Sequence, residues 1–571
     1  MDARPPVPRA ELAWILLLLF SFAFHLILVS RRTGVTIDEP AHLLSANLYW
    51  QGKDTLDPGD MPPAIKIVGG WVPAFFFMLP IPYDRPDIMA VNHEWDISLA
   101  MMDRLKNRRD IERLFFYSRL PLIVFPLGCC LLLWWWGRQL FSPTAGLLMA
   151  LAFSLSPSVL GHGYLFKNDL AASLSFLLFW WRCWAFWRNP RLVNSAWLGA
   201  ALLFALMSKF SLYVLLPLAP AIVLARYLTL RPVPRKRIAA ALALVLVIPY
   251  AGIVASWQFK VNRPSAQELS AISGDPAVPS ALSAAFRSLR WLPTPPRIRN
   301  GIVSLLRSNA TDGSVYFRGQ ILPGGHPLYF LTALALKIPT VLLLLIVTGF
   351  GLAISAHLNR LRPATDLFWL LPPLIYLTLA SFSSLQMGVR LVLPTRAFLV
   401  MFTGFTLEWL RRRRAFPIVA PLLFLWLSVR VLPQFPHYIS FFNMWAGGPD
   451  NGLSWLSDSN LDWGQDLPEL ARWMGSRPNE QLRLAYFGTD NPFAYIPDTR
   501  MELLAPPWSA ELVHGQTRLQ PGPGLYAISA TLLTGHLFAP EFRDYFTFFR
   551  QRRPIAKAGY SIFIFQIDPS P

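Results

Sequence analysis

Charge is scarce in this sequence, and what is missing narrows its class at once. Only 15% of the residues are Asp, Glu, Lys or Arg, while 54% are hydrophobic. That is too little charge to cover the surface of a soluble chain of 571 residues. Cysteines number three, Cys129, Cys130 and Cys183. All lie inside apolar runs, where neither a disulfide framework nor redox chemistry is indicated. No glycine-rich phosphate loop of the Walker type occurs, and the basic loops are too short to hold a nucleotide-binding domain, which disfavours ATP-driven transport. No small-residue cleavage site follows the first apolar run near Val29, so that run reads as an uncleaved anchor. No internal repeat is visible. The formal net charge of +19 has no soluble basic face to occupy, and nucleic acid is not expected as a partner.

What the chain does have is one long apolar block after another, such as Leu12–Val29 and Leu242–Ser256. Each approaches the ~20 residues that cross ~30 Å of hydrocarbon. Spans are expected near 11–30, 117–136, 144–161, 170–187, 193–208, 211–229, 238–257, 328–354, 367–383, 391–409 and 415–433. The fold class is therefore an α-helical polytopic membrane protein with about eleven transmembrane helices. Short basic clusters gather in alternate loops: Arg188 with Arg191, Arg231 to Arg237, Arg360 with Arg362, and Arg411 to Arg414. By the positive-inside rule those loops are cytoplasmic, as is the N-terminus with Arg4 and Arg9. Arg31 and Arg32 are the exception. An odd number of spans puts the C-terminus outside.

Residues 1–433 thus form a membrane domain, and 434–571 an external C-terminal domain. Within the first, 31–116 is an external loop whose stretch Ala64–Pro82 reads as an interfacial helix. Residues 258–327, rich in proline, read as an external cap of short helices and turns. In the tail, Leu467–Met474 reads as a helix, and Gly524–Ala530 and Ser561–Ile567 as strands of a small α/β domain.

The residues that can carry chemistry cluster at the external ends of the spans. Thr36-Ile37-Asp38-Glu39-Pro40-Ala41-His42 follows the first span. Two adjacent carboxylates beside the hydrocarbon boundary are costly unless paired, hydrated or used. The segment continues through Asn47-Leu48-Tyr49-Trp50-Gln51-Gly52 to Met61-Pro62-Pro63-Ala64-Ile65-Lys66. A second group, Gly161 to Asp169, sits between the third and fourth spans, and Asp169 there also suits a helix N-cap. His162 and Lys167 are weaker candidates, since a lysine at a membrane edge needs no special role. A third, Gln386 to Pro394, places Arg390 where an arginine can hold a lipid phosphate through forked hydrogen bonds. Arg396 follows, within reach of the same face or snorkelling. Asp458, Asp462 and Asp466 recur every four residues, a pattern that more often binds loop amides than a metal.

These motifs, in this order, resemble the GT-C membrane glycosyltransferases, specifically the protein O-mannosyltransferase and aminoarabinose-transferase relatives and a bacterial family-39-like subgroup. The resemblance rests on the Asp38-Glu39 pair, Tyr49-x-x-Gly52, the Pro62-Pro63-x-x-Lys66 step with Met61 in place of the family's His, and Asp169 at the fourth span. It continues in Gly388-x-Arg390-Leu391-x-Leu393-Pro394, with Leu391 in place of the family's Tyr. Tyr316 to Tyr329, Lys337-Ile338-Pro339 and His437 to Leu467 extend it over nearly the whole chain. It implies transfer of a sugar from a polyprenyl-phosphate donor to an acceptor hydroxyl on a protein, lipid or glycan, at the outer face of a bacterial inner membrane. Asp38 would be the base, with Glu39 and Asp169 in the catalytic set. Lys66, Arg390, His42 and Tyr49 would bind the lipid-phosphate donor. No cofactor is called for, a divalent cation being the one group left open. A polyprenyl-linked-sugar flippase or other transporter is the alternative, and it predicts polar residues near mid-membrane and broken helices in related halves.

Overall fold

The computed structural model describes residues 7–57, 61–230, 233–310 and 313–569. Arg4 and Arg231, which entered the orientation argument, lie outside them. Among the described residues nine helices are long and apolar enough to cross a membrane: Arg9–Arg32, Arg108–Leu140, Asp169–Arg188, Phe210–Thr229, Arg235–Ser256, Thr340–Leu358, Ala364–Ser381, Val389–Arg411 and Phe416–Gln434. Two shorter apolar helices, Pro143–Ser154 and Leu192–Ser208, complete the series. The protein is a multi-pass membrane protein. Two expected spans are broken, both at prolines. The run at 328–354 is two helices, Tyr329–Lys337 and Thr340–Leu358, with Ile338 extended before Pro339. The run at 144–161 divides into Pro143–Ser154 and Pro157–His162. In each case the residue before the proline, Ser156 or Ile338, is extended, the backbone that a following proline favours.

Buried ion pairs sort the helices end to end. Glu11 meets Arg138 at 3.0 Å at the start of the first span and the end of Arg108–Leu140. Glu39, just beyond the other end of the first span, meets Arg119 at 2.5 Å. The two helices are therefore antiparallel. Val389–Arg411 is the central helix, with 83% of its apolar stretch buried, whereas the first span is peripheral at 22%. Close approach uses small residues, as is usual between membrane helices. A Cβ on Gly349 would lie 1.9 Å from the Phe402 carbonyl oxygen, so Thr340–Leu358 and Val389–Arg411 touch backbone to backbone there.

The segments at the Asp38 end are short and irregular. The Ala64–Pro82 stretch holds two helices, Pro63–Gly69 and Trp71–Phe76, with Phe75, Phe76 and Met78 exposed. The cap holds helices Ala266–Gly274, Ser280–Ser288 and Pro296–Ala310. It ends in an unexpected antiparallel hairpin, β1 (Ser314–Phe317) and β2 (Gln320–Pro323). Its two-residue turn, Arg318-Gly319, has φ of 53° and 78°, the left-handed pair that matches strand twist.

The tail carries a mixed five-stranded sheet of β3 (Leu482–Ala485), β4 (Met501–Leu503), β5 (Gly524–Ser529), β6 (Ala556–Ala558) and β7 (Ile562–Ile567), in the order β4-β3-β5-β7-β6. β3 runs parallel to β4 and β5, while β7 is antiparallel to β5 and β6. The period of two sends Leu525 and Ala527 to the face covered by Leu467 and Leu470, and Tyr526 and Ile528 to the face covered by Phe546 and Phe549. The expected helix and two strands are present. The loop before the helix, Asp458–Asp466, packs into the membrane helices rather than onto the sheet alone.

Candidate active site

The site grows from the turn after the first span. Glu39 accepts from the Thr36 amide at 2.9 Å and its hydroxyl at 3.0 Å, closing the turn that leads into its helix. Glu39 also accepts from Arg119 at 2.8 and 2.5 Å and from the Phe166 amide at 2.8 Å. Arg119 in turn donates to the carbonyls of Ser30, Thr33 and Gly34. This knot is fully buried, and it leaves Glu39 no free acceptor direction. Its consequence is geometric: it fixes the start of the helix Glu39–Trp50, and with it the direction of Asp38.

Asp38 sits at that helix's N-terminus but caps nothing. Its carboxylate pairs with Lys167 and, at 3.1 Å, with Arg390 Nη1. One turn on, His42 Nε2 lies 2.7 Å from Lys167 Nζ, so it accepts and the proton sits on Nδ1, which is buried without a partner among the described residues. Burial works to raise the Asp38 carboxyl, yet the Lys167 and Arg390 cations beside it hold it well below the usual carboxylate range. His42 is held well below its ordinary value by burial and by the Lys167 ammonium, and is neutral.

The tail closes the cluster. Trp463 lies under the Arg390 guanidinium, 4.4 Å from atom to ring centroid, and 5.9 Å from the Lys167 ammonium. Arg390 Nε donates to Ser459 Oγ at 3.2 Å. Asp458 is buried at φ 57°, and burial raises its carboxyl to about 6 even with Arg390 near. Asp462 accepts from the Thr531 amide at 2.8 Å and the Gly464 amide at 3.3 Å. Asp466 accepts from the amides of Tyr560 and Ser561. These two carboxylates tie the loop to the sheet.

Asp169 is the first residue of its span, and its Oδ1 accepts from Lys209 at 2.8 Å. Its Oδ2 is buried with no partner among the described residues. Lys66 is fully buried and bound to Asp54 at 2.6 Å, 5.5 Å from the Trp257 ring centroid. Tyr49 donates to the Ser256 carbonyl at 2.6 Å. Arg396 does not snorkel: it is 1% exposed and donates to Ser156 Oγ at 2.9 Å, on the buried side of a helix whose apolar stretch is 83% buried.

The structure thus joins Asp38, His42 and Arg390 directly, with Lys167 between them, and sets Asp169, Lys66 and Tyr49 on separate partners. Trp463, Ser459, Lys209, Asp54 and Arg119 join the site without being among the candidates the sequence offers, and Lys167 is there only a weaker one. The available signal was charge inside apolar sequence: Lys209 interrupts the run 192–229, and Arg119 heads another. As for a divalent cation, the donor set does not fit one. Ammonium and guanidinium groups already neutralise Asp38 and Asp169, and no cluster of three His, Cys, Asp or Glu side chains occurs among the described residues.

No protein-family model matches the chain, and no curated protein matches it in sequence. In overall shape it is similar to the aminoarabinose transferase ArnT of Cupriavidus metallidurans in the apo state, with 13% identity and a TM-score of 0.45 over 97% of this chain and 98% of that one. The same protein bound to undecaprenyl phosphate aligns with 12% identity and a TM-score of 0.41 over 97% of each chain. The archaeal oligosaccharyltransferase AglB of Archaeoglobus fulgidus, in complex with an inhibitory peptide and a dolichol-phosphate, aligns with 13% identity and a TM-score of 0.41 over 86% of this chain and 65% of that one.

Proposed function

We propose that this chain is a GT-C-type glycosyltransferase that moves a sugar from a polyprenyl-phosphate donor to an acceptor hydroxyl, at the external face of a bacterial inner membrane. The observation that carries this reading is the meeting of Asp38 with Lys167 and Arg390 at one end of the helix bundle. A carboxylate and two cations at headgroup depth are what the reaction needs. The acceptor oxygen attacks the anomeric carbon, the bond from that carbon to phosphate oxygen breaks, and the phosphate leaves with the electron pair on its lipid. The acceptor's proton goes to Asp38. The displacement is single and inverting, with no covalent intermediate.

In the absence of substrate the two cations sit on Asp38. An incoming phosphate competes for them with better fork geometry and more charge, and Asp38 is released as it is needed. Its ionised state at neutral pH suits a base that accepts its proton late in the displacement. Lys167 and Arg390 then stabilise charge growing on the leaving phosphate. Asp169, steadied by Lys209 and with one oxygen unpartnered, is placed to accept from the acceptor. Glu39, whose lone pairs are all engaged, serves as a positioning residue. Lys66 on Asp54 and Tyr49 on Ser256 hold the donor side of the loop, and His42 orients Lys167. Residues 434–571 act as a domain that closes over the membrane domain, 1–433, with Trp463 as its contact. The cytoplasmic N-terminus and external C-terminus follow from loop charge.

The test is turnover of a polyprenyl-phosphate sugar by the reconstituted full chain. Asp38→Asn is expected to lose about 10²–10⁴ in rate at unchanged folding. Wild-type turnover in that variant removes Asp38 as base. Transfer of the labelled donor across the bilayer without cleavage, in the wild type, would instead favour a flippase.

A further inference from the structure

A second charged cavity of about 520 Å³ opens at the same end of the first span, and the chemistry above does not use it. Arg31, Arg32, Arg108, Arg472, Leu28 and Phe435 are among the residues that line it. Neither Asp38, Lys167 nor Arg390 does. Arg119 forms part of the wall, but its guanidinium is turned to Glu39. Arg108 is engaged by Glu112 at 2.6 Å, and Arg472 by Glu469. The side chains of Arg31 and Arg32 have no hydrogen bond or ion pair with any described residue. They are also the pair that breaks the charge rule on which the topology rests. Orientation by loop charge does not account for these two guanidinium groups, and both open onto the cavity.

The helix beneath them supplies the second half of the argument. Phe20, Phe24 and Leu28 are 71%, 54% and 38% exposed, and they recur at the helical interval that places them in one stripe. That stripe runs along the lipid-facing side of the first span and ends, one turn later, at Arg31 and Arg32. Leu28 belongs to both stripe and cavity. A ligand that satisfies both has an anionic head suited to forked guanidinium donors, and an apolar tail that lies along the helix. We infer that this cavity binds the phosphate headgroup of a membrane lipid, with its acyl or prenyl chain along Phe20, Phe24 and Leu28. The inference stands apart from the glycosyl-transfer reading, since it uses none of the same side chains.

The experiment uses the full chain in detergent with three probes: phosphatidylglycerol, a polyprenyl phosphate, and inorganic phosphate. Bound lipid is counted by native mass spectrometry. Arg31→Gln with Arg32→Gln is expected to weaken lipid binding about tenfold or more, while Arg235→Gln with Arg237→Gln, at the opposite end, leaves it unchanged. Dependence in the phosphatidylglycerol arm identifies a resident bilayer lipid, and dependence in the polyprenyl arm identifies the carrier lipid; either supports the proposal. Equal lipid retention by both double variants overturns it. So does competition by inorganic phosphate at the same concentration as lipid, because the apolar stripe would then contribute nothing. Leu28→Ser checks the tail independently, and unchanged lipid retention there also overturns it.

Discussion

Arg390 rests its guanidinium 4.4 Å from the centroid of the Trp463 ring, so a residue of the central membrane helix is held against one from the tail. The ring covers one face of the cation, while its Nη1 edge donates to Asp38 at 3.1 Å. Trp463 and Ser459 of the tail therefore pack on the same cations that pair with Asp38.

Removing the ring tests this. Trp463 is 1% exposed, and Trp463→Ala is expected to lower the donor's kcat/KM by about tenfold, with loss of a cation–π contact of ~1–2 kcal/mol between desolvated groups. Trp463→Phe keeps a ring and should recover most of the loss. Steady-state kinetics on both variants, with thermal melts to correct for the cavity left by alanine, is the measurement. Equal impairment of Phe and Ala would show that packing, not the aromatic face, matters.

Asp38 and Glu39 are neighbours in sequence with opposite expected phenotypes. Glu39→Gln leaves the Arg119 guanidinium buried and uncompensated, which costs roughly 3–5 kcal/mol. Loss should appear first as a lower melting temperature and poor membrane accumulation. Asp38→Asn leaves Lys167 and Arg390 without their shared carboxylate, but this cluster keeps slight solvent access where Glu39 has none, so the stability loss should be smaller than for Glu39→Gln while turnover fails. Comparing melting temperature with rate for the two variants separates a positioning carboxylate from a reacting one.

That division was only half legible in the sequence. The acidic pair, His42 and Arg390 stand at span ends, where charge beside apolar runs is conspicuous. Which carboxylate was knotted into the fold was not, because Arg119 and Phe166, which occupy Glu39, belong to distant segments. Trp463 is one aromatic among 22 tryptophans, and nothing local marks it as the one under Arg390. The spans were legible from composition. Hydropathy ignores backbone geometry and so does not show the breaks at Pro157 and Pro339. Strands of three or four residues, such as Met501–Leu503 and Ala556–Ala558, carry too little period to be seen before their partners are known.

The Asp462 carboxyl makes the tail's attachment pH-sensitive. Burial raises it to about 7, against an ordinary value of 3.8, even with the Thr531 and Gly464 amides opposing. A raised folded-state value means that the folded protein binds the proton more tightly than the unfolded chain. Stability from this group is therefore fully present below about pH 3.8 and is lost as pH rises through about 7. The melting temperature should be higher at pH 5 than at pH 8. Asp462→Asn should remove much of that difference. An unchanged pH slope in the variant would place the titrating group elsewhere, with Asp490, also raised by burial to about 7, as the next to substitute.

The Asp169–Lys209 pair offers the sharpest separation of structure from chemistry. Asp169 opens one span and Lys209 follows the end of the helix Leu192–Ser208, so their 2.8 Å contact fixes the register between two adjacent helices. Asp169 is 1% exposed. If register were its whole role, Asp169→Asn, Lys209→Met and the double variant would show a coupling energy of about 1–3 kcal/mol in stability, and activity would follow stability. The unpartnered Oδ2 predicts more. Lys209→Met should leave Asp169 in place with its carboxylate unneutralised, lowering the melting temperature while raising KM for the acceptor only modestly. Asp169→Asn should raise acceptor KM by an order of magnitude beyond what its melting temperature explains, with donor KM near the wild-type value. Measuring both KM values for the three variants decides the matter, and an Asp169→Asn enzyme impaired only in proportion to its stability would confine Asp169 to the helix contact.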